Sequence, residues 1–362
     1  MKLKGSVVIA GLALCSAATV HAQTSVTFYG IVDTGVEFLN HAGSSDKSLV
    51  RMPNITASVP SRFGFRGTED LGGGAKALFV LESGFGSDTG GLNYGNRIFG
   101  RQAFIGLSNQ YGTISLGRQY NMTFYALLNS DILGPNAYAI SNLDSYLPNT
   151  RSDNAIGYLG KFGPWSAGAT FSLGRDAAGP AGPQATNCGG ELVGDVQACR
   201  QWTAMAKYDG EQFGVSASFD RQNGGPNALF GLTNSNYHDD RSTLNGYFVI
   251  AGAKIGAGIL HRNNYSAASF KSNLYYLGAT YAVTPSWVVD GQVGRLDTRD
   301  SNRDAVMLAL RATYNFSKRT AAYVTGGQMR NQGVSALGVS AGAPALAGLN
   351  QSGMMVGVRH AF

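Results

Sequence analysis

Long apolar runs are missing from this 362-residue chain, and so is charge. Beyond residue 22 nothing approaches the twenty or so apolar residues of a membrane-spanning helix, so a helical membrane protein is excluded. Charged residues make up only 14%, too few for the hydrated surface of an ordinary soluble enzyme. Cysteine is almost absent, with three in all, and histidine is scarce, with five. Hydrophobic residues at 44% exclude a disordered chain. The abundant residues are glycine, with fifty copies, and aromatics at 10%, a composition suited to many short strands joined by tight turns.

The first 22 residues read as a targeting segment. Lys2 and Lys4 form a positive start, Val7 to Leu14 a short apolar stretch, and Val20-His21-Ala22 a small-residue cleavage site before Gln23. A membrane anchor is the alternative, but the run is short and ends in Ser, Ala and Thr. Leu14 stands before Cys15 where a lipoprotein would carry a small residue. Removing Lys2 and Lys4 leaves 26 basic and 22 acidic residues. An exported chain whose remaining cysteines are Cys188 and Cys199 most simply joins them in one disulfide, with two free thiols as the alternative.

Alternation of period two recurs from end to end. It marks roughly sixteen strand-like segments, each about long enough to cross a bilayer at a tilt. They cover 25–38, 58–68, 75–83, 97–108, 112–120, 151–160, 165–175, 201–209, 212–221, 241–251, 253–263, 272–283, 286–297, 304–316, 320–330 and 351–362. The connections sort by length. "TEDLGGG", "SNQYG", "KFGPW", "DGEQ", "VTPS" and "NFSKR" are short, whereas 39–57, 84–96, 121–150, 176–200, 222–240 and 331–350 are long. Short turns on one side of a membrane and long loops on the other give this pattern in an up-and-down barrel. No internal domain boundary is visible, so residues 23–362 read as one all-β transmembrane barrel.

Parity assigns the faces. In 304–316, Val306, Leu308, Leu310, Ala312, Tyr314 and Phe316 share one side, and Met307, Ala309, Arg311, Thr313 and Asn315 the other. The last strand sets Met354, Val356, Val358, His360 and Phe362 against Met355, Gly357, Arg359 and Ala361. Near the start, "SRFGFRGTEDLGGG" places Phe63 and Phe65 opposite Arg62 and Arg66. Apolar residues facing lipid and arginines facing a water-filled lumen account for all three. Tyr29, Tyr281, Tyr314, Trp165 and Trp287 lie near strand ends, where an interfacial girdle or ordinary rim packing would put them.

The stretches "SVTFYGIVDTGVEF", "SRFGFRGTEDLGGGAKALFVLESGF", "RIFGRQAFIGLSNQYGTISLGRQYN", "YNFSKRTAAYV" and "VGVRHAF" together resemble the Gram-negative general porins, in their neisserial and beta-proteobacterial branch. The resemblance spans the mature chain, with the motifs in family order. It implies a sixteen-stranded antiparallel barrel in the cell outer membrane with an inward-folded third loop. It also implies a homotrimer bounded by lipid and lipopolysaccharide, delivered through the barrel-assembly machinery. Phe362, with apolar residues at alternate positions before it, matches the family's assembly signal. Segment 121–150 would be the constriction loop; its Phe, Tyr, Leu and Ile content suits burial on the barrel wall, an extracellular plug or partner site being the alternative.

In the family, arginines on the wall face acids on that loop. By motif, Arg62, Arg101 and Arg151 correspond to the wall positions, with Arg66 and Arg97 close by, and Asp131 and Asp144 are the loop acids available. Each arginine read singly is equally a solvated lumen charge or a structural ion pair. Many relatives carry a Pro-Glu-Phe-Gly-type stretch where this chain reads "GPNAY", so Asn136 stands where a carboxylate is expected and the basic half dominates. Arg118 shares parity with Ile114 and Leu116, which points it outward; that is costly in lipid and implies a trimer interface, with an acid from 84–96 such as Asp88 as partner.

Other classes fit less well. His238 with Asp239 and Asp240 is the best catalytic or metal-binding candidate, yet the spacing matches no metal motif and reads as a polar loop. "LGGG" at 71–74 lacks the Lys-Ser/Thr of a phosphate loop and reads as a turn. No catalytic residue, metal or cofactor is therefore assigned. The basic balance does not imply nucleic acid, because the arginines are interleaved with apolar residues. The expected activity is passive diffusion of small hydrophilic solutes, with a modest anion preference. An outer-membrane barrel enzyme of protease or lipase type, or a non-conducting adhesive barrel, is the alternative.

Overall fold

The computed structural model describes residues 25–176, 186–299 and 301–362. The segment assigned to export, 1–22, lies outside the described residues. The strands are β1 (Ser25–Ala42), β2 (Lys47–Arg51), β3 (Arg62–Gly72), β4 (Ala75–Gly84), β5 (Gln102–Asn109), β6 (Gly112–Tyr120), β7 (Arg151–Phe162) and β8 (Trp165–Ser172). They continue as β9 (Gln201–Asp209), β10 (Phe213–Asn223), β11 (His238–Ile250), β12 (Ala253–Tyr265), β13 (Phe270–Ala282), β14 (Trp287–Arg299), β15 (Ala305–Asn315), β16 (Thr320–Asn331) and β17 (Gln351–Ala361).

Each strand pairs antiparallel with its neighbours, and the sheet closes where β1 pairs β17 from Ile31↔Ala361 to Leu39↔Gly353. The other edge of β1 takes two partners in line, β3 over Ser25–Ile31 and β2 over Glu37–Ala42. The two fill one place, so the barrel has sixteen staves. β2 is the element that alternation did not reveal: it is too short for a period to declare itself. The break between β2 and β3 turns inside, where Ala57 is fully buried and the Thr56 carbonyl accepts from the Ala137 amide at 2.8 Å. No helix among the described residues is long and apolar enough to cross a membrane.

The two faces of the barrel differ in polarity. Exposed Val26, Phe28, Val32, Val36 and Phe38 alternate along β1 with buried Asp33, Glu37 and Leu39. Outer-face aromatics cluster near both rims. Trp165 packs on Tyr208 at 5.0 Å and Trp287 on Tyr314 at 5.0 Å near the short turns, and Trp202 packs on Phe219 at 4.8 Å toward the long loops. Tyr29 is a correction to the girdle. It shares parity with Asp33 and turns inward, donating to Glu82 at 3.1 Å. The C-terminus is locked: Gly30 and Phe362 exchange amide–carbonyl bonds at 3.0 Å, and the Phe362 ring lies 5.4 Å from Phe28.

Segment 121–150 folds back against the inner wall. Asn121 starts it by capping helix α1 (Met122–Leu127), its side chain accepting from the Thr123 and Phe124 amides at 3.1 and 3.4 Å. Leu127, Leu133, Tyr138, Ile140, Leu143 and Leu147 then pack with inward-parity residues of the far wall, including Leu260, Leu274, Met307, Tyr323 and Met355. Burying each such Leu or Ile stabilises the loop by about 1.5–3 kcal/mol, which holds it in place without a strand ladder.

Candidate functional site: an arginine-lined passage

Three of the expected arginines meet on one side of the interior. β3 begins at Arg62, the segment ahead of β5 delivers Arg101, and β7 begins at Arg151. Arg101 is the hub. Its Nε donates to Glu82 at 2.7 Å, Nη1 to the Tyr94 hydroxyl at 3.1 Å and Nη2 to the Tyr120 hydroxyl at 2.7 Å. Arg151 donates to the same Tyr120 hydroxyl at 2.9 Å and lies 4.9 Å from the Tyr94 ring and 4.5 Å from the Tyr120 ring. Arg62 Nε is 3.8 Å from Glu82. Two guanidiniums, charged at any physiological pH, therefore share one carboxylate, and Arg151 joins them through the Tyr120 hydroxyl.

Glu82 was not singled out from the sequence. The signal was there: in "ALFVLES" it lies on the face opposite Phe79 and Leu81, and the register sets it across from Gly64 and Gln102. Tyr94 and Tyr120 carry no comparable pattern, because one comes from an irregular segment and the other from a strand end.

The remaining expected residues lie elsewhere. Arg66 faces inward but one level nearer the short turns, exposed and 5.3 Å from the Tyr29 ring. Arg97 lies apart from the three, pairing with Asp153 at 3.1 Å and Asp176 at 2.9 Å. Asp131 accepts from Gln292 at 2.9 Å, against the wall of β14. Asp144 pairs with Arg241 at 3.0 Å, and Arg241 and Arg262 both hold Asp239. Neither loop acid is paired with Arg62, Arg101 or Arg151. Burial pushes the Asp131 carboxyl up to about 6. Burial also opposes ionisation of Asp144, but Arg241 and Arg262 outweigh it and hold that carboxyl at about 2.

Arg118 corrects the parity reading. The β6–β7 register breaks between Gly117 and Gln119, so strict alternation no longer dictates the side of the residue between them. Gly117 has φ +124°, and a Cβ there would lie 2.3 Å from the Ala103 carbonyl oxygen. The Arg118 guanidinium is buried within its own chain, on Asp153 at 2.5 Å, the Gly100 carbonyl at 2.7 Å and Asn149 at 3.2 Å. Its partner is Asp153 rather than Asp88, which is exposed.

Two spaces along this wall share Ile55, Tyr94 and Ala341 in their linings. The wider, a cavity of about 240 Å³, is bordered by Arg51, Arg97 and Arg118. The narrower, about 30 Å³, is bordered by Arg101 and Arg151 on one side and Pro135, Asn136 and Pro148 of the 121–150 segment on the other. Toward the long loops, Cys188 and Cys199 are bonded. The Asp176 amide donates to the Cys188 carbonyl at 2.9 Å and the Arg175 amide to the Cys199 carbonyl at 3.2 Å. Arg175 in turn reaches the Asn149 carbonyl and lies 4.5 Å from the Tyr146 ring. The His238, Asp239 and Asp240 cluster lies at the start of β11. His238 stacks on Tyr265 at 4.3 Å, Asp240 is held by Arg221 at 2.6 Å and Asp239 by Arg262 at 2.7 Å.

The Gram-negative porin family model matches residues 6–334. The chain is 31% identical to outer membrane porin protein 32 of Delftia acidovorans, over 99% of both chains. It is 27% identical to major outer membrane protein P.IB of Neisseria meningitidis serogroup B, over 96% of this chain and 97% of that one. Among solved structures, the anion-selective porin from Comamonas acidovorans superposes with a TM-score of 0.75 at 28% identity, over 94% of this chain and all of that one. With an inner face of charge and an outer face of apolar side chains, this sixteen-stave barrel belongs to the Gram-negative porins and resides in the outer membrane.

Proposed function

We propose that the chain is a general diffusion channel that favours anions and works as a homotrimer without catalysis. The observation that carries this is the charge count of the arginine cluster on the inner wall: Arg62, Arg101 and Arg151 with Glu82. The acids of the 121–150 segment are engaged with Gln292 and Arg241 instead. A solute moves down its gradient through water, and the field of the passage selects among ions. Two charges about 4 Å apart interact by about 1 kcal/mol in water and more beside low-dielectric walls, so a net positive wall enriches anions and repels cations. The anion selectivity of the Comamonas porin supports the same sign.

Segment 121–150 acts as the constriction, since its Pro135, Asn136 and Pro148 share a narrow space with Arg101 and Arg151 and the Pro148 carbonyl accepts from Arg151 at 3.2 Å. The apolar outer face supports contact with lipid, lipopolysaccharide and neighbouring subunits, and the exposed Phe362 supports recognition by the barrel-assembly machinery. Purified protein in a planar bilayer should give stepwise conductance, and a tenfold potassium chloride gradient should give a reversal potential of the chloride sign. A silent protein, or one of the potassium sign, would refute the reading.

A further inference from the structure

The outer surface of the barrel carries a group of unpaired cations. On the long-loop side of β13, β14 and β16, Lys271, Arg295, Arg299 and Arg330 share the outward parity and are exposed. None has an ion-pair partner among the described residues; Arg330 donates its Nε to Gln328 at 2.9 Å. Arg221, outward on β10, is by contrast held by Asp240 at 2.6 Å. The register gathers the four. Arg295 lies level with Tyr275 on one side and, through Val306, with Arg330 on the other. Lys271 lies directly across from Arg299. Neighbouring strands about 4.8 Å apart put Arg295 and Arg330 about 10 Å from each other. Within these strands Asp297, half-buried across from Asn273, is the carboxylate of the same parity.

Depth in the membrane identifies what these cations meet. A strand rises about 3.3 Å per residue and tilts about 40°, so Arg295 and Arg299 stand about 20 and about 30 Å above Trp287, near the short turns. An apolar band about 25 Å tall therefore ends between them. Just beneath, Leu277, Val293 and Leu308 form an exposed apolar row in register. We propose that this face binds the phosphorylated head of lipopolysaccharide, with phosphates on the cations and acyl chains along the apolar row. The inference deepens the lipid contact proposed above and rests on it. Guanidiniums take phosphate through paired, charge-assisted hydrogen bonds. Free phosphate would gain nothing from the apolar row, and a zwitterionic head would bring its own cation against the arginines.

The test is native mass spectrometry of detergent-solubilised trimers titrated with bisphosphorylated or fully dephosphorylated lipid A. Wild-type trimers should half-saturate with the bisphosphorylated lipid at a concentration at least about tenfold lower, a ratio that one charge-assisted contact suffices to give. Lys271→Gln, Arg295→Gln, Arg299→Gln and Arg330→Gln together should cut the ratio below about threefold. Arg295→Gln alone should lower it, and Asp297→Asn should raise it. Equal half-saturation by the two lipids in the wild type, or a ratio kept by the fourfold variant, would overturn the site and leave the lipid contact standing. Loss of the trimer in the fourfold variant would place the cations between subunits and overturn the site as well. Retention of neither lipid would overturn the site and the lipid contact together.

Discussion

Glu82→Gln should raise anion selectivity. Glu82 is a carboxylate within the arginine cluster, 2.7 Å from Arg101 and 3.8 Å from Arg62. An anion beside Arg101 would lie roughly 7 Å from that carboxylate, where Coulomb repulsion in water is about 0.6 kcal/mol. Removing it should raise anion occupancy about threefold at low salt, since RT is about 0.6 kcal/mol. The effect should fade in molar salt, where the Debye length falls to about 3 Å. Glutamine keeps the shape, its one oxygen can accept from Arg101, and its amide nitrogen can donate to the Tyr29 hydroxyl, so the barrel should still assemble. The assay is the reversal potential of wild type and variant in the same potassium chloride gradient at several mean concentrations. A folded variant whose potential stays put, or moves toward potassium, would refute the charge count.

Three further outcomes follow from particular contacts. Asp131, with its carboxyl pushed up to about 6, is neutral below that pH and charged above it, so chloride preference should strengthen as pH falls through about 6; Asp131→Asn should remove the step in a pH series of reversal potentials. Replacing Cys188 and Cys199 by serine removes a bond whose loop carbonyls hold Arg175 and Asp176, the residues that brace Asn149 and Arg97. A disulfide of this span contributes about 2–3 kcal/mol to its loop, so trimers should still form but close at lower voltage, and unchanged closure would count against the brace. Deleting Phe362 removes its two backbone bonds to Gly30 and the ring contact with Phe28, and the yield of heat-modifiable trimer should fall sharply in semi-native electrophoresis.

The barrel was legible because its physics is local. Where lipid meets one face and water the other, every second residue must differ, and β11 to β17 follow the alternation within a few residues of each end. Legibility failed where the ladder failed. Arg118 sits at a bulge that a strict period of two cannot register, and the outward side chain read from Ile114 and Leu116 is buried on Asp153. Tyr29 was misassigned for a different reason: an aromatic near a strand end serves a girdle or an inner hydrogen bond equally, and only the register with Glu82 decides. The arginines Arg62, Arg101 and Arg151 were legible by motif, but their counter-charge was not, because pairing Glu82 with them depends on which strands are neighbours. Asp131 and Asp144 were visible as acids on a long loop, and their partners Gln292 and Arg241 lie more than ninety residues away in sequence.

The central claim is that Arg62, Arg101 and Arg151 set the sign of selectivity. Arg101 is bonded to Glu82, Tyr94 and Tyr120, so glutamine disturbs the cluster less than glutamate. The decisive measurement is the zero-current potential of trimers carrying Arg62→Gln, Arg101→Gln and Arg151→Gln together, in a dilute potassium chloride gradient beside the wild type. The wild type should show the chloride sign, and the triple variant, with Glu82 left unopposed, should fall to zero or cross to the potassium sign; a folded triple variant that keeps the wild-type potential would contradict the account.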